Sequence, residues 1–314
     1  MLSNPLEQLT TGKQTVNSVL IHSGKSDSTR RKQTLQALTP VVLAAAWLFG
    51  PLVLLNIILC SLFGAAMEAL ARLLRRMPGR DFYRDEDTLI IATLAGLCLA
   101  TSTSWWQILI VMAVAILLCK HAFGGLGQSP FHPLMPALLF LTIAFPDSQM
   151  EEIPAQWALF NLAALLGAIF LLLKKAIRPL LPLSILFTII AWTFLSDFNA
   201  PPGTAIAQAL FQQPALLLLV FYVATNPGNT PSHGLGKLAY GVLLGSLLSI
   251  NNSLPSFAAC IVLTNFLAPL LNQLLDRDIY GHENSQCLPL HENHSRKLNT
   301  DLNMSPNTGE EPAP

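Results

Sequence analysis

Charged residues are scarce in this sequence of 314 residues. They make up 11% of the chain, whereas a soluble domain carries roughly a quarter. Hydrophobic residues make up 52% and the mean hydropathy is +0.49. Such a composition excludes an ordinary globular enzyme and predicts that the solvent of this chain is a lipid bilayer.

The sequence also lacks the local motifs of metal centres and of soluble hydrolases and kinases. Its five cysteines show no CxxC spacing, and we expect the four that lie in apolar runs to be small core residues: Cys60, Cys98, Cys119 and Cys260. No known zinc-ligand spacing joins His282, Cys287, His291 and His294. No Walker A, GxSxG or HExxH string is present. No metal site is therefore predicted.

Long apolar runs are plentiful, and a membrane-spanning helix needs about 20 mainly apolar residues. The run from Leu35 to Leu74 is long enough for two spanning helices, and Gly50-Pro51 in its middle predicts the turn between them. The run from Leu89 to His121 likewise predicts two helices, separated at Thr101–Ser104. The other predicted spans are Pro133–Phe145, Trp157–Leu173, Leu180–Leu195, Ala207–Val223, Leu238–Ile250 and Pro255–Leu275. The predicted fold class is an all-α integral membrane protein with about ten transmembrane helices. This transmembrane domain covers 35–275, after a polar tail 1–34 and before a disordered tail 276–314.

The basic residues sort onto one side of this arrangement. All 18 Lys and Arg residues fall in or next to the segments 1–34, 75–88, 120–132, 174–179, 224–237 and 276–314, and the other loops carry only acidic charge. The positive-inside rule then predicts an even number of spans with both termini in the cytoplasm. Five helices on each side of loop 147–156 would give two halves of opposite orientation, as in inverted-repeat transporters. The arginines between Arg72 and Arg84 are interpreted as topology and lipid contacts, not as a nucleic-acid site.

The most distinctive string joins the fourth and fifth predicted spans. It reads Phe-Gly-Gly-Leu-Gly-Gln-Ser-Pro-Phe-His-Pro-Leu-Met over residues 123–135. Gly124, Gly125 and Gly127 let the backbone bend and approach a partner closely. Non-helical backbone at a membrane surface is buried in protein or lines a site. Spacing alone leaves two interpretations, a tight interhelical turn or a binding loop.

This string resembles the GGLGxNxFNPAM signature of the NqrB/RnfD family, which contributes membrane subunits to the Rnf electron transport complex and to the Na⁺-pumping NADH:quinone reductase. Four further stretches are similar to that family in the same order. They are Met67–Leu70, Phe221–Pro227, Gly236–Gly241, and Thr264–Leu270 with Arg277–His282. The last of these look like the closing elements of the RnfD branch. The resemblance covers most of the hydrophobic chain.

The resemblance implies a ten-helix subunit of the bacterial inner membrane that works with other Rnf- or Nqr-type subunits and is not a complete enzyme alone. It implies a flavin, and electron flow that drives Na⁺ or H⁺ outward. Family positions place a flavin site at Ser129, His132, Thr225, Asn226 and the three glycines. Where the family has asparagine, asparagine and aspartate, this chain has Ser129, His132 and Asn226.

One departure concerns the flavin directly. The family attaches FMN to a threonine in a long outer connection between helices five and six. Here that connection is Asp147–Gln156, and it contains no threonine. We therefore expect no covalent FMN, and any FMN or riboflavin to be held by hydrogen bonds. The alternative function is a flavin-free channel, secondary transporter or scaffold subunit on the same fold.

Glu68 is the one acidic residue well inside an apolar run. An intramembrane carboxylate is a candidate for an ion path. Arg72 lies four residues further on, so an ion pair on one helix face is the other interpretation.

Overall fold

The computed structural model describes residues 27–75, 86–124, 129–146, 154–196, 201–231, 234–250 and 253–275. Within these ranges all regular secondary structure is helical, which confirms the predicted all-α class. Residues 1–26 and the predicted C-terminal tail 276–314 lie outside the described residues. Residues 27–34, assigned above to the polar tail, form the first turns of a helix.

The first five helices are α1 (Asp27–Leu48), α2 (Leu52–Leu74), α3 (Glu86–Cys98), α4 (Trp105–Ala113) and α5 (Leu134–Ala144). Helix α4 continues without a break as a π-helical segment, Val114–His121. The remaining helices are α6 (Pro154–Leu173), α7 (Leu180–Ser196), α8 (Pro202–Phe211), α9 (Leu216–Leu218, continuing as a π-helix to Val223), α10 (Gly234–Leu248) and α11 (Leu254–Leu275).

Only some of these helices have the full length of a span. Among the described residues, three are long and apolar enough to cross a membrane, and the bent pair α8–α9 makes a fourth if it counts as one span. Several others are apolar but shorter: Trp105–His121, Leu134–Ala144, Leu180–Ser196 and Gly234–Leu248. The helices follow the order of the predicted apolar segments, and the count of about ten spans stays a prediction.

The predicted continuous helix Ala207–Val223 is wrong, because the chain bends there by 66°. Pro214 lacks a backbone N–H, and Ala215 adopts a left-handed conformation with φ of +51°. The fully buried side chain of Asn161 on α6 compensates for the lost helical bonds. Its Nδ2 donates to the carbonyl oxygens of Phe211 and Gln213 at 3.0 and 2.7 Å, and its Oδ1 accepts from the Leu217 N–H at 3.1 Å.

Helices α1–α5 and α6–α11 have corresponding neighbours when α8 and α9 are counted together. Helix α2 packs against α3 and α4, and α4 packs against α5; likewise α7 packs against α8 and α10, and α10 packs against α11. The contacts α1–α6 and α5–α11 join the two sets. This pattern agrees with the predicted division into two five-helix halves, and their opposite orientation stays a prediction.

Small residues allow the closest contact between the two sets. A Cβ atom added to Gly167 on α6 would lie 2.2 Å from the carbonyl oxygen of Ala37 on α1. That same carbonyl accepts a hydrogen bond of 2.9 Å from the Tyr222 hydroxyl. Three helices therefore meet at one point, in the manner of small-residue packing between transmembrane helices.

The outer faces of the helices are apolar. On α2, an exposed stripe of Leu52, Leu55, Ile58 and Leu62 lies opposite a buried face. Monomeric soluble proteins rarely expose apolar patches of this extent, whereas lipid tails solvate them without cost. The chain is therefore a multi-pass membrane protein.

Candidate functional site

A polar cavity of about 210 Å³ lies where the N-terminal end of α1, the C-terminal end of α4, the loop before α5 and the segment after α9 meet. Arg30 and Arg31 line it from α1, Asp87 from α3, and Lys120 from the π-helical end of α4. A neighbouring cavity is lined by Arg30, Arg178 and Lys237. Side chains from the basic segments thus gather at one end of the molecule, as the charge sorting requires. Which side of the membrane this end faces stays a prediction.

The structure brings four of the predicted cofactor residues into this polar cavity. Ser129 and His132 line it from the loop before α5, and Thr225 and Asn226 line it from the segment after α9. The two similar motifs are about a hundred residues apart in sequence, so spacing alone did not indicate their proximity. Gly124 does not line the cavity; its carbonyl oxygen accepts from Arg75 Nη1 at 3.4 Å. Gly125 and Gly127 lie outside the described residues.

Ser129 and His132 also build the loop that carries them. The Ser129 hydroxyl donates to the carbonyl oxygen of Phe131 at 2.6 Å, and His132 Nδ1 accepts from the Leu134 N–H at 3.4 Å at the start of α5. Burial lowers the pKa of His132 to about 4, because it disfavours the charged imidazolium. The ring is therefore neutral near pH 7, and with Nδ1 accepting, Nε2 carries the proton as a donor.

Beside the polar cavity lies a partly buried charged cluster, here called the Lys120 cluster, which consists of Glu68, Arg72, Asp87, Thr88, Lys120 and His121. Glu68 Oε1 accepts from Arg72 Nε at 3.0 Å, so the predicted ion pair on α2 is present. Glu68 Oε2 accepts from Lys120 Nζ, Thr88 Oγ1 and His121 Nε2 at 3.2, 3.2 and 2.8 Å. An ion path through Glu68 stays a prediction.

The predicted cytoplasmic segment 120–132 begins at Lys120, and the side of the membrane on which it lies stays a prediction. Lys120 lies within the helical residues Val114–His121 and is 2% exposed. Apart from its contact with Glu68, its Nζ donates to Thr88 Oγ1 at 2.8 Å and lies 3.6 Å from Asp87 Oδ2. The predicted apolar run Leu89–His121 included Lys120, and the structure confirms that the helix extends to this residue.

Two comparisons with known proteins bear on this arrangement. The chain matches the model of the NQR2, RnfD, RnfE family over residues 14–158 and 150–281. The chain belongs to this family. The two matched stretches include every residue that lines the polar cavity and every residue of the Lys120 cluster.

Relatives of similar length carry one common description, the RnfD subunit of an ion-translocating oxidoreductase complex. The relative from Aeromonas salmonicida (strain A449) is 26% identical over 336 residues, which cover 83% of this chain and 96% of the relative. The protein of the same description from Ectopseudomonas mendocina (strain ymp) is 27% identical over 315 residues, covering 80% and 90%. That from Escherichia coli O9:H4 (strain HS) is 24% identical over 343 residues, covering 85% and 97%.

The two matched stretches overlap at residues 150–158. The overlap includes the end of the connection between α5 and α6, where the family resemblance implies the covalent flavin, and the first residues of α6. Residues 147–153 lie outside the described residues.

The polar cavity meets some of the requirements of a non-covalent flavin but not all of them. Its lining offers donors suited to a flavin edge, namely His132 Nε2 and the amides of Asn226 and Asn229. Its volume of about 210 Å³ is below the roughly 300–1,000 Å³ of small-molecule pockets. The cavity in this conformation does not enclose a flavin, so we assign no electron-transfer step to it.

Proposed function

We propose that this chain is a membrane subunit of an ion-translocating oxidoreductase complex, in which electron transfer drives Na⁺ or H⁺ across the bacterial inner membrane. The observation that carries the proposal is the family membership, supported by RnfD relatives that align over nearly their whole length. The chain acts with other Rnf- or Nqr-type subunits and is not an enzyme alone. Its termini lie in the cytoplasm, which the clustering of basic side chains at one end supports.

The structure supports a role in the ion path more directly than a role as electron carrier. A partly buried network of two acidic and two basic side chains stands beside a polar cavity, and such groups within membrane helices mark ion or substrate pathways. In this proposal the Lys120 cluster serves ion movement. Any flavin on this chain is bound without a covalent link at the polar cavity, which must widen to admit it.

A second candidate is a flavin-free channel, transporter or scaffold subunit on the same helices. The small volume of the polar cavity favours it. The two candidates are distinguished by whether this chain binds a flavin and by which subunits purify with it.

Purification of the tagged full chain from its native membrane tests both. Subunits of an ion-translocating oxidoreductase complex should co-purify with it, and their absence under mild detergent would contradict the proposal. Yellow flavin absorbance is then recorded before and after acid precipitation, because only covalent flavin stays with the pellet. If a flavin occupies the polar cavity, Ser129→Ala and His132→Ala reduce bound flavin while membrane insertion is unchanged. A colourless complex would assign the electron path to other subunits.

A further inference from the structure

The cavity next to the polar cavity, here called the basic cavity, gathers positive charge from three separate elements. Its volume is about 300 Å³. Arg30 lines it from the first turn of α1, Arg178 from the connection between α6 and α7, and Lys237 from the first turn of α10. None of the described residues that line it is acidic. A cavity lined by charge of one sign attracts ligands of the other sign, so the basic cavity is suited to an anion.

The charges of the basic cavity are arranged differently from those of its neighbours. Glu86 and the two carboxylates of the Lys120 cluster face other basic side chains. Within the basic cavity, the positive charge of Arg178 instead acts on Lys237, so two cations repel one another. An anion placed between like charges converts this repulsion into attraction.

The backbone fixes Arg178 at the wall of the basic cavity. Helix α6 ends where Lys175 adopts a left-handed conformation with φ of +53°. The Ala176 N–H donates to the Leu171 carbonyl oxygen at 2.9 Å, and the Lys175 N–H donates to that of Leu172 at 2.9 Å. These two bonds form a Schellman motif, and the buried Ala176 itself lines the cavity. Arg178 therefore follows a capped helix end and is not carried on a loose loop.

Exposed leucines adjoin the basic cavity in the chain. Leu180 follows Arg178 by two residues, and Leu235 and Leu238 flank Lys237 on α10. Exposed apolar side chains of a membrane protein contact lipid tails, whereas basic residues at the helix ends lie at the level of the headgroups. The site thus offers positive charge in a cavity and apolar surface beside it. This combination matches an anionic phospholipid better than it matches a free phosphate ion.

We propose that the basic cavity binds the phosphate headgroup of an anionic phospholipid. Arg30, Arg178 and Lys237 are its cationic contacts, and the hydroxyl of Thr230, which also lines the cavity, is a hydrogen-bond donor to it. The acyl chains of the lipid pack on the exposed leucines of α7 and α10. Basic pockets between membrane helices take such headgroups. The bound lipid connects α1 with α10 and so links the two five-helix sets at their basic end.

The inference goes beyond the proposed function and does not depend on it, so the isolated full chain tests it. Thermal midpoints are measured in a neutral detergent with rising phosphatidylglycerol, and phosphatidylcholine with the same acyl chains is the comparison. A ligand that binds the folded state raises the midpoint until binding saturates. We expect a saturating rise of several degrees with phosphatidylglycerol and little change with phosphatidylcholine.

Substitutions separate the basic cavity from general surface charge. Arg178→Gln should weaken phosphatidylglycerol binding about fivefold, and Arg178→Gln combined with Lys237→Gln about 25-fold. Lys174→Gln is the matched control, because it removes a charge from the same connection at an exposed position outside the cavity, and it should bind as the wild type. Without lipid, Arg178→Gln should be at least as stable as the wild type, since its repulsion of Lys237 is gone.

The outcomes that would overturn the proposal are distinct. Equal responses to the two phospholipids, or an equal loss of binding in Lys174→Gln, would show that no specific headgroup site exists. An equal rise with inorganic phosphate at the same ionic strength would assign the cavity to a free anion. No response of the isolated chain would leave the cavity to an acidic segment of a partner subunit. Arg30→Gln, on another helix, replaces Arg178→Gln if the latter does not fold.

Discussion

Lys120 Nζ and Glu68 Oε2 lie 3.2 Å apart, although 52 residues separate the two side chains in the sequence. Both residues are buried, at 2% and 3% exposure. Removing one partner of such a pair leaves the other charge without compensation in a medium that solvates it poorly. The first prediction follows from this relationship.

Glu68→Gln should lower the free energy of unfolding by about 3–5 kcal/mol, the usual cost of breaking a buried ion pair from one side. Thermal or denaturant unfolding of the purified chain in detergent measures the change. Glu86→Gln is the matched control, since Glu86 also faces two basic side chains, but at 3.9 and 3.6 Å and nearer the surface. Its change should stay within about 1 kcal/mol. Equal effects of the two substitutions would contradict the structural role assigned to Glu68.

The second prediction concerns the break between α8 and α9. Asn161→Leu keeps the volume of the side chain but removes its hydrogen bonds to Phe211, Gln213 and Leu217. Each buried backbone group left without a partner costs about 1–3 kcal/mol. We expect a marked loss of thermal stability and faster amide hydrogen exchange around residues 211–218.

Asn56 provides the comparison for that experiment. It is also buried and also bonds a backbone carbonyl at a helix end, but only that of Ala100, at 2.9 Å. Asn56→Leu should therefore destabilise the protein less than Asn161→Leu, without faster exchange around residues 211–218. The reverse order would show that the bend does not depend on Asn161.

The third prediction tests the contact between α1 and α6. Gly167→Ala would place a methyl group within 2.2 Å of the Ala37 carbonyl oxygen, so the helices must separate at a cost of about 1–3 kcal/mol. Gly203→Ala is the matched change on α8, where an added Cβ meets no atom within 4 Å. It should be neutral or stabilising, because alanine favours the helix by up to about 1 kcal/mol. Thermal midpoints of the two variants measure the difference, and a stable Gly167→Ala variant would contradict the close approach.

The fourth prediction is a pH dependence from His132. Its pKa is about 4 in the folded chain and 6.5 as a free side chain, so the unfolded chain binds this proton first as the pH falls. The contribution of His132 to the free energy of unfolding is therefore complete above pH 6.5. It is lost as the pH falls from 6.5 to about 4 and does not change further below that. The measurement is the thermal midpoint across this range for the wild type and for His132→Asn, which keeps an acceptor for the Leu134 N–H. The variant should lose less stability on acidification, and parallel curves would contradict the assignment.

Features formed by residues near one another in sequence were the most predictable part of this structure. The ion pair between Glu68 and Arg72 followed from their spacing of one helical turn, and the break at Thr101–Ser104 followed from polar residues between apolar runs. The partners of Glu68 from α3 and α4 were not predictable in this way, because the packing of helices distant in sequence decides them. The bend at Pro214 was also missed, since apolar periodicity continues across it and the Asn161 side chain that supports it comes from another helix.

The four cavity residues Ser129, His132, Thr225 and Asn226 were assigned to one site through family resemblance, which implies that both of their motifs contribute to it. The structure places both motifs at one cavity. Their spacing in the sequence alone did not indicate this. Their local hydrogen bonds, by contrast, depend on loop geometry that composition does not determine.

The π-helical end of α4 determines which residue faces Glu68 and Thr88. An α-helix turns by about 100° for each residue, and a π-helical turn accommodates one residue more than an α-helical turn. Deleting a single residue from the segment Val114–Cys119 would therefore allow regular α-helix to form while Lys120 keeps its direction toward Glu68 and Thr88. Conversion of the same segment to α-helix without a deletion would rotate Lys120 away from both by about 100°. In the evolution of this chain, the π-helical segment is thus a place where one residue can be lost without moving the charge.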